Sequence, residues 1–242
     1  METIDLNADL GEGGAQDTAL MAFASSVNIA CGGYAGDDES IQRAVELALQ
    51  TQTAIGAHPG YEDPQNFGRK PMSLANSEIR SLMLRQLERF LQIHPQLHHV
   101  KPHGALYNQS NQNQAMAEAL VAAIAELQPH TLLYCPPLGA LATAATQCNL
   151  SICGEGYIDR RYGNDGSLCP RTDERALIED VNEAVAQALK IAIERSVTTL
   201  NGVTIPLKAK TLCVHGDGYD AAILMKLTHS SLKEAGIKIM AP

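Results

Sequence analysis

Four short stretches carry side chains able to move protons or hold an anion. Asp9-Leu-Gly-Glu12-Gly-Gly14 sets two carboxylates three residues apart, ahead of paired glycines. The carboxylates suit proton transfer, and the glycines let backbone amides approach an anion. A plain turn with a capping carboxylate is the alternative. His58-Pro-Gly60 adds an imidazole at a strand end. In Lys101-Pro-His103-Gly104, strand alternation puts Lys101 and His103 on one side. If that side is interior, the ammonium needs a carboxylate or an anionic ligand; a surface edge strand would need neither. His215-Gly-Asp217 alternates onto one face as well and suits acid–base work or metal binding, unless Asp217 only caps the next helix. A dinucleotide fingerprint is excluded because the GxGxxG spacing fails at Gln16, and no GxxxxGK[ST] phosphate loop occurs.

These residues need a scaffold that gathers strand ends. Strand patterns cover Thr3–Asp9, Val27–Ala30, Thr53–His58, His98–His103, Thr131–Cys135, Ser151–Glu155 and Thr211–His215. Helical stripes lie between several of them. Ile41, Ala44, Val45 and Ala48 form one, with Asp37 and Asp38 placed to cap it. Others are Ile79, Leu82, Met83, Leu87, Phe90 and Leu91, then Val181, Ala184, Val185, Ala188 and Ala192, then Leu224, Leu227 and Thr228. Alternating strands and helices imply right-handed βαβ units and a parallel sheet. Seven such units in one domain spanning 1–242 predict a distorted (β/α)7 TIM-like barrel. Asp9, Glu12, Asn28, Cys31, His58, Lys101, His103, Glu155, His215 and Asp217 all fall at or just past C-terminal strand ends, the face where such barrels carry active sites. Residues 157–173 read as a polar lid longer than an ordinary connection, and Asn201-Gly202 as a hairpin turn.

Composition narrows the class. With 45% apolar residues the chain can build a sizeable core, and a net charge of −9 argues against sequence-independent nucleic-acid binding. No apolar run approaches the ~20 residues of a membrane helix, and the acidic start does not resemble a signal peptide. Six scattered cysteines without CxxC spacing read as reduced thiols, so the expected location is the cytoplasm. Six of seven tyrosines, Tyr34, Tyr61, Tyr107, Tyr157, Tyr162 and Tyr219, lie just past strand ends, where they suit a small-molecule pocket or loop anchoring.

Several blocks together resemble one family. Asn7-Ala-Asp9-Leu-Gly-Glu12, Asn28-Ile-Ala-Cys31-Gly32, Ala35-Gly36-Asp37, Gly56-Ala-His58-Pro-Gly60-Tyr61, Phe67-Gly68-Arg69, Val100-Lys-Pro-His-Gly-Ala-Leu-Tyr-Asn108, Glu155, Asp159-Arg160-Arg161-Tyr162 and Cys213-Val-His-Gly-Asp217 are similar, in collinear order, to the LamB/YcsF family, the A component of bacterial 5-oxoprolinase. The resemblance implies a barrel related to the carbohydrate-deacetylase fold. It also implies ATP-dependent opening of 5-oxo-L-proline to L-glutamate, with partner subunits B and C, ATP as co-substrate and no metal beyond the Mg that accompanies ATP. From the chemistry of the residues, Lys101 would hold phosphate or a developing oxyanion, and Asp9, Glu12, His58 and His103 would activate water and protonate the leaving nitrogen. Within the matched blocks, Asn7, Asn28, Tyr34, Arg69, Tyr107, Glu155, Asp159, Arg160, His215 and Asp217 are the candidates for binding substrate.

The chain departs from the family pattern at one telling place. The usual Cys-Gly-Phe-His-Ala-Gly-Asp is here Cys31-Gly-Gly-Tyr-Ala-Gly-Asp37. Gly33 in place of an aromatic ring is expected to widen the pocket, and Tyr34 to have a binding or positioning role, able to donate one hydrogen bond to a substrate oxygen but not to shuttle protons. Two competing readings remain: a metal-dependent amidohydrolase or deacetylase that needs no ATP, with Asp9, His58 and His103 as zinc ligands, and a ligand-binding paralogue without turnover. Replacing Lys101 with Met is expected to leave stability nearly unchanged if the lysine serves only catalysis. It should cost roughly 3–5 kcal/mol if the lysine is a buried ion partner.

Overall fold

The computed structural model describes residues 2–216, 218 and 220–242. The chain runs β1 (Thr3–Leu10), α1 (Asp17–Met21), β2 (Ser26–Ala30), α2 (Asp38–Thr51), β3 (Ala54–His58), α3 (Asn76–Ile93) and β4 (His99–Val100). It continues with α4 (Gly104–Gln112), α5 (Gln114–Leu127), β5 (Leu132–Cys135), α6 (Ala140–Gln147), β6 (Ser151–Tyr157) and α7 (Val181–Leu189). The hairpin strands β7 (Ser196–Thr198) and β8 (Thr204–Pro206), then β9 (Thr211–Val214), α8 (Ala221–Glu234) and β10 (Lys238–Ile239) complete it. Strands β1 to β6 and β9 pair in parallel, and β9 returns to β1, closing the seven-stranded barrel that the alternation predicts. The short strand β10 pairs with the start of β1.

Period-two alternation decides what enters the barrel. Along β1, Ile4, Leu6, Ala8 and Leu10 join the apolar core between barrel and helices. Asp5, Asn7 and Asp9 point the other way and meet residues of distant strands. Ser26, Asn28, His99, Lys101, Tyr134, Glu155, Thr211 and Cys213 fill the same interior. Parallel barrels ordinarily pack layers of Val, Ile and Leu there. This one is filled with hydrogen-bonding groups. Gly56 makes room for one of them: a Cβ at that position would lie 2.1 Å from His99 Nε2.

Local signals explain most helix starts. Asp37 caps α2, its side chain accepting from Ser40 N–H at 2.8 Å while Ser40 Oγ accepts from Asp37 N–H at 2.7 Å. The stripes read from the sequence for α2 and α3 are buried as expected, except Leu91, which is half-buried, and Asn201-Gly202 turns the β7–β8 hairpin. Two readings need correction. The fourth strand is two residues long, not six, because Pro102 has no N–H to donate. Pairing with β3 nevertheless continues, with Lys101 N–H donating to Ala57 O (2.9 Å) and His103 N–H to Pro59 O (2.8 Å), so both side chains stay on the interior face. Helix α5 escaped notice because alanines surround its buried stripe of Met116, Ala117, Leu120, Val121 and Ile124 and blur the apolar contrast. No helix among the described residues is long and apolar enough to cross a membrane.

Candidate active site at the C-terminal end of the barrel

Lys101 organises the site. Its Nζ donates to Asp9 Oδ1 at 2.9 Å and to Cys213 Sγ at 3.0 Å, and lies 2.9 Å from Glu155 Oε1. With 1% of its surface exposed, it is an ion partner buried between two carboxylates. Burial works to discharge the ammonium, but Asp9 foremost and then its other neighbours hold its pKa well above the ordinary lysine value. Burial likewise works to protonate Asp9, yet Lys101 and then His58 keep its carboxyl well below the usual range. Cys213, by contrast, is pushed well up by burial and stays a thiol.

Asn7 and Asn28 hold this cluster in place. Asn7 Nδ2 donates to Glu155 Oε1 (3.1 Å) and Thr211 Oγ1 (2.6 Å). Asn28 Nδ2 donates to Asn7 Oδ1 (2.7 Å) and Asp9 Oδ1 (2.8 Å). Asn28 is oriented in turn by His99, whose Nε2 lies 2.7 Å from Asn28 Oδ1 and whose ring stacks on Tyr134. His99 and Cys213 were missed as site residues. The alternation that singled out Lys101 and His103 reaches back to 99, and the one that joins His215 to its strand reaches back to 213.

A second group adjoins Asp9. His58 Nε2 lies 3.5 Å from Asp9 Oδ2 and 3.1 Å from His103 Nδ1, and His103 Nδ1 lies 3.5 Å from Glu12 Oε1. Burial, then the neighbouring His58, lowers the His103 pKa well below the usual value, so it is a neutral imidazole. Glu12, His58 and His103 bring their ligand atoms within 4.8 Å of one another, close enough to share a metal ion.

Tyr34 makes positioning contacts, one of the two roles expected of it. Its ring is buried and stacked on His103 at 3.6 Å between centroids, and its hydroxyl donates to Glu12 Oε1 at 2.7 Å. That hydrogen bond commits the hydroxyl's one proton to a catalytic candidate, so it is not donated to a substrate in this arrangement. Gly33 does not widen a pocket either. The space is taken by the amide of Gln86, which would lie 2.5 Å from a Cβ there and is bonded to both N–H and O of Gly60.

The remaining candidates sit around these two groups. Asp159 Oδ2 pairs with His215 Nδ1 at 2.7 Å, and the His215 ring lies against Tyr157. Arg69 places its guanidinium over Phe67. Arg160 is turned away, donating to Cys169 O at 2.6 Å and tying the lid to itself. Asp217, like Tyr219, lies outside the described residues.

A cavity of about 780 Å³ adjoins the cluster, lined by Tyr107, Leu138, Glu155, Tyr157, the lid around Tyr162–Leu168 and the β8 side of the hairpin. Asp9, His58, Lys101 and His103 do not line it and are packed closed. Glu155 is the link: Oε1 lies on Lys101, while Oε2 is buried without a partner, as is the Tyr107 hydroxyl. The ring of Tyr157 lines the cavity and covers Lys101 Nζ at 5.1 Å, making it a partition between them. The arrangement offers a hydrogen-bonding cavity wall, a buried ammonium and a pair of histidines flanked by carboxylates, the equipment for polarising a carbonyl and transferring protons.

Known proteins share this architecture. The chain is 44% identical over 248 residues to the A component of 5-oxoprolinase from Methylococcus capsulatus, covering 99% of this chain and 95% of that one. It is 34% identical to the "Lactam Utilization Protein" of Thermus thermophilus, with a TM-score of 0.90 over 99% of this chain and 100% of that one. A family 4 carbohydrate esterase of Streptomyces lividans shares the fold alone, at 10% identity and a TM-score of 0.51 over 98% of this chain and 91% of that one. The family model for LamB/YcsF matches residues 4–242, and this chain belongs to the LamB/YcsF family.

Proposed function

We propose that this chain is the A component of a 5-oxoprolinase. It would open 5-oxo-L-proline to L-glutamate, driven by hydrolysis of ATP to ADP and phosphate and working with partner subunits B and C. The full-length likeness to the Methylococcus relative supports the family role. The observation that carries the reading is Glu155, which touches both the cavity and Lys101. A lactam in the cavity can donate its N–H to Glu155 Oε2 and accept from the Tyr107 hydroxyl, two of the buried atoms that lack partners.

The chemistry follows from the stability of the five-membered lactam, whose amide is resonance-stabilised and whose product readily recloses. Phosphorylation of the lactam oxygen makes the ring carbon electrophilic, and water then adds. Lys101 stabilises negative charge on the phosphorylated oxygen, and the His58–His103 pair with Asp9 and Glu12 takes the proton of water and returns one to the departing nitrogen. The C–N bond breaks to leave an acyl phosphate, which a second water hydrolyses to glutamate and phosphate. Movement of Tyr157 would open the path between cavity and ammonium. The test is glutamate release from 5-oxoproline and ATP by this chain with its cognate B and C subunits. Glutamate is expected only when all are present. Release without ATP would make the chain an independent amidohydrolase, and binding of 5-oxoproline without any release would make it a ligand-binding paralogue.

A further inference from the structure

Two backbone carbonyls fix the protonation of the histidine pair. A carbonyl oxygen only accepts, so the contact of His58 Nδ1 with Lys101 O (2.6 Å) places a proton on His58 Nδ1. The contact of His103 Nε2 with Phe67 O (2.9 Å) likewise places one on His103 Nε2. With those nitrogens committed to carbonyls, each ring turns its other nitrogen, His58 Nε2 and His103 Nδ1, toward its neighbour at 3.1 Å. At that spacing the two nitrogens can share either a proton or a metal ion. Histidines whose far nitrogen is held by a backbone carbonyl are what a metal centre requires of its ligands. An ion about 2.1 Å from each nitrogen would subtend roughly 95° at that 3.1 Å spacing, compatible with four to six ligands. Glu12 Oε1 lies 3.5 Å from His103 Nδ1 and supplies an oxygen on the same side.

We propose that this chain binds one divalent transition-metal ion of the zinc class through His58 Nε2, His103 Nδ1 and Glu12 Oε1, with Tyr34 orienting two of the three ligands. The set differs from the Asp9, His58, His103 triad of the competing reading. Asp9 Oδ1 is committed to Lys101, and Glu12 takes its place among the ligands. Asp9 Oδ2, 3.5 Å from His58 Nε2, is placed to accept from a metal-bound water. Tyr34 holds His103 by stacking and Glu12 by its hydroxyl, and so supports the site from outside. Two histidines and one glutamate leave an open position for water or substrate.

Metal binding tests this independently of the lactam reading. The full chain, stripped with chelator and carrying Cys148→Ser to remove the exposed thiol, is titrated with Zn²⁺ by calorimetry and then with Co²⁺ by visible absorption. We expect one ion per chain and a cobalt spectrum without a thiolate charge-transfer band. His103→Asn and Glu12→Gln should each weaken Zn²⁺ binding at least a hundredfold, and Tyr34→Phe by roughly 10- to 100-fold. Glu12→Gln keeps the side chain's shape and serves if His103→Asn does not fold. Absence of stoichiometric binding would assign the space between the histidines to a shared proton and overturn the proposal. So would unchanged affinity in the variants or a thiolate band. A metal-free chain that still opened the lactam with B and C at full rate would remove the ion from the reaction and leave the proposed activity standing.

Discussion

Asp5 and Asp9 lie four residues apart on β1, point into the same barrel and are both buried, yet the fold treats them in opposite ways. Asp5 accepts from four neutral hydroxyls: Ser25 Oγ (2.6 Å), Ser26 Oγ (2.7 Å), Tyr134 OH (2.9 Å) and Thr211 Oγ1 (2.6 Å). Burial still wins, and its pKa is raised. Asp9 feels the same burial, but an ammonium at 2.9 Å, helped by His58, drives its pKa well down. Neutral donors satisfy a buried carboxylate geometrically without compensating its desolvation; a counter-charge does both. Most unpartnered buried atoms lie on one side of that division. Of six among the described residues, four belong to Tyr107, Glu155, Asp159 and Arg160, at or beyond C-terminal strand ends. Two belong to Asn111 and Thr228 in helices α4 and α8, and none is at Asp5. The lower half of the barrel is closed and satisfied, and the upper half is charged and incomplete.

The largest expected effect breaks the upper half. Lys101→Met would leave Asp9 and Glu155 facing each other without the ammonium, a loss of about 3–5 kcal/mol in urea denaturation, together with loss of turnover. The burial of Lys101 thus selects the destabilising outcome over the neutral one. An unchanged denaturation midpoint would show that Asp9 does not depend on that charge, and the contrast with Asp5 would fail. Asp5→Asn tests the lower half. It replaces one acceptor oxygen by an amide donor among four hydroxyls and should cost about 1–3 kcal/mol, with turnover per folded molecule unaltered. A drop in turnover at preserved fold would tie Asp5 to the chemistry and merge the two halves.

Tyr134→Phe is a gentler probe. Removing one of four donors to Asp5 should cost about 0.5–1.5 kcal/mol and leave His99 stacked, with turnover again the readout that must not move. The smallest effect is a pH trend. Asp5 has a folded pKa above its reference value of 3.8, so below that value folded and unfolded chains hold the proton alike. As pH rises from there, the unfolded chain ionises first, and the stability Asp5 contributes declines until its folded pKa is passed. The stability advantage of the natural chain over Asp5→Asn should therefore shrink as pH rises above about 3.8. A growing advantage would reverse the sign assigned to Asp5.

Alternation made much of this legible in the sequence. Residues 5, 7, 9 and 99, 101, 103 share a face by period two alone, and β-strand ends gather in any parallel barrel. Asp9, Glu12, His58, Lys101 and His103 do meet, as their strand-end positions suggested. Position 34 was not legible in the same way. A tyrosine after glycines in a loop reads as a binding or a positioning residue alike, and only the neighbours brought by distant segments, Glu12 from β1's end and His103 from β4's, show it buried and engaged. Gln86 filling the space beside Gly33 is equally invisible, since it comes from the middle of α3.

By itself, then, the sequence determined the repeating units, the barrel and the end of it that carries charge, because hydrophobic period and strand polarity are local properties of the chain. Tertiary structure alone decided which carboxylate meets Lys101, that His58 Nε2 and His103 Nδ1 face each other, that Arg160 serves the lid and that the cavity reaches the cluster only at Glu155. Those facts depend on distances of a few ångströms between residues as far apart in the chain as Lys101 and Cys213. Hydrogen bonds and ion pairs discriminate over such distances, whereas sequence periodicity only says which side of a strand a residue faces.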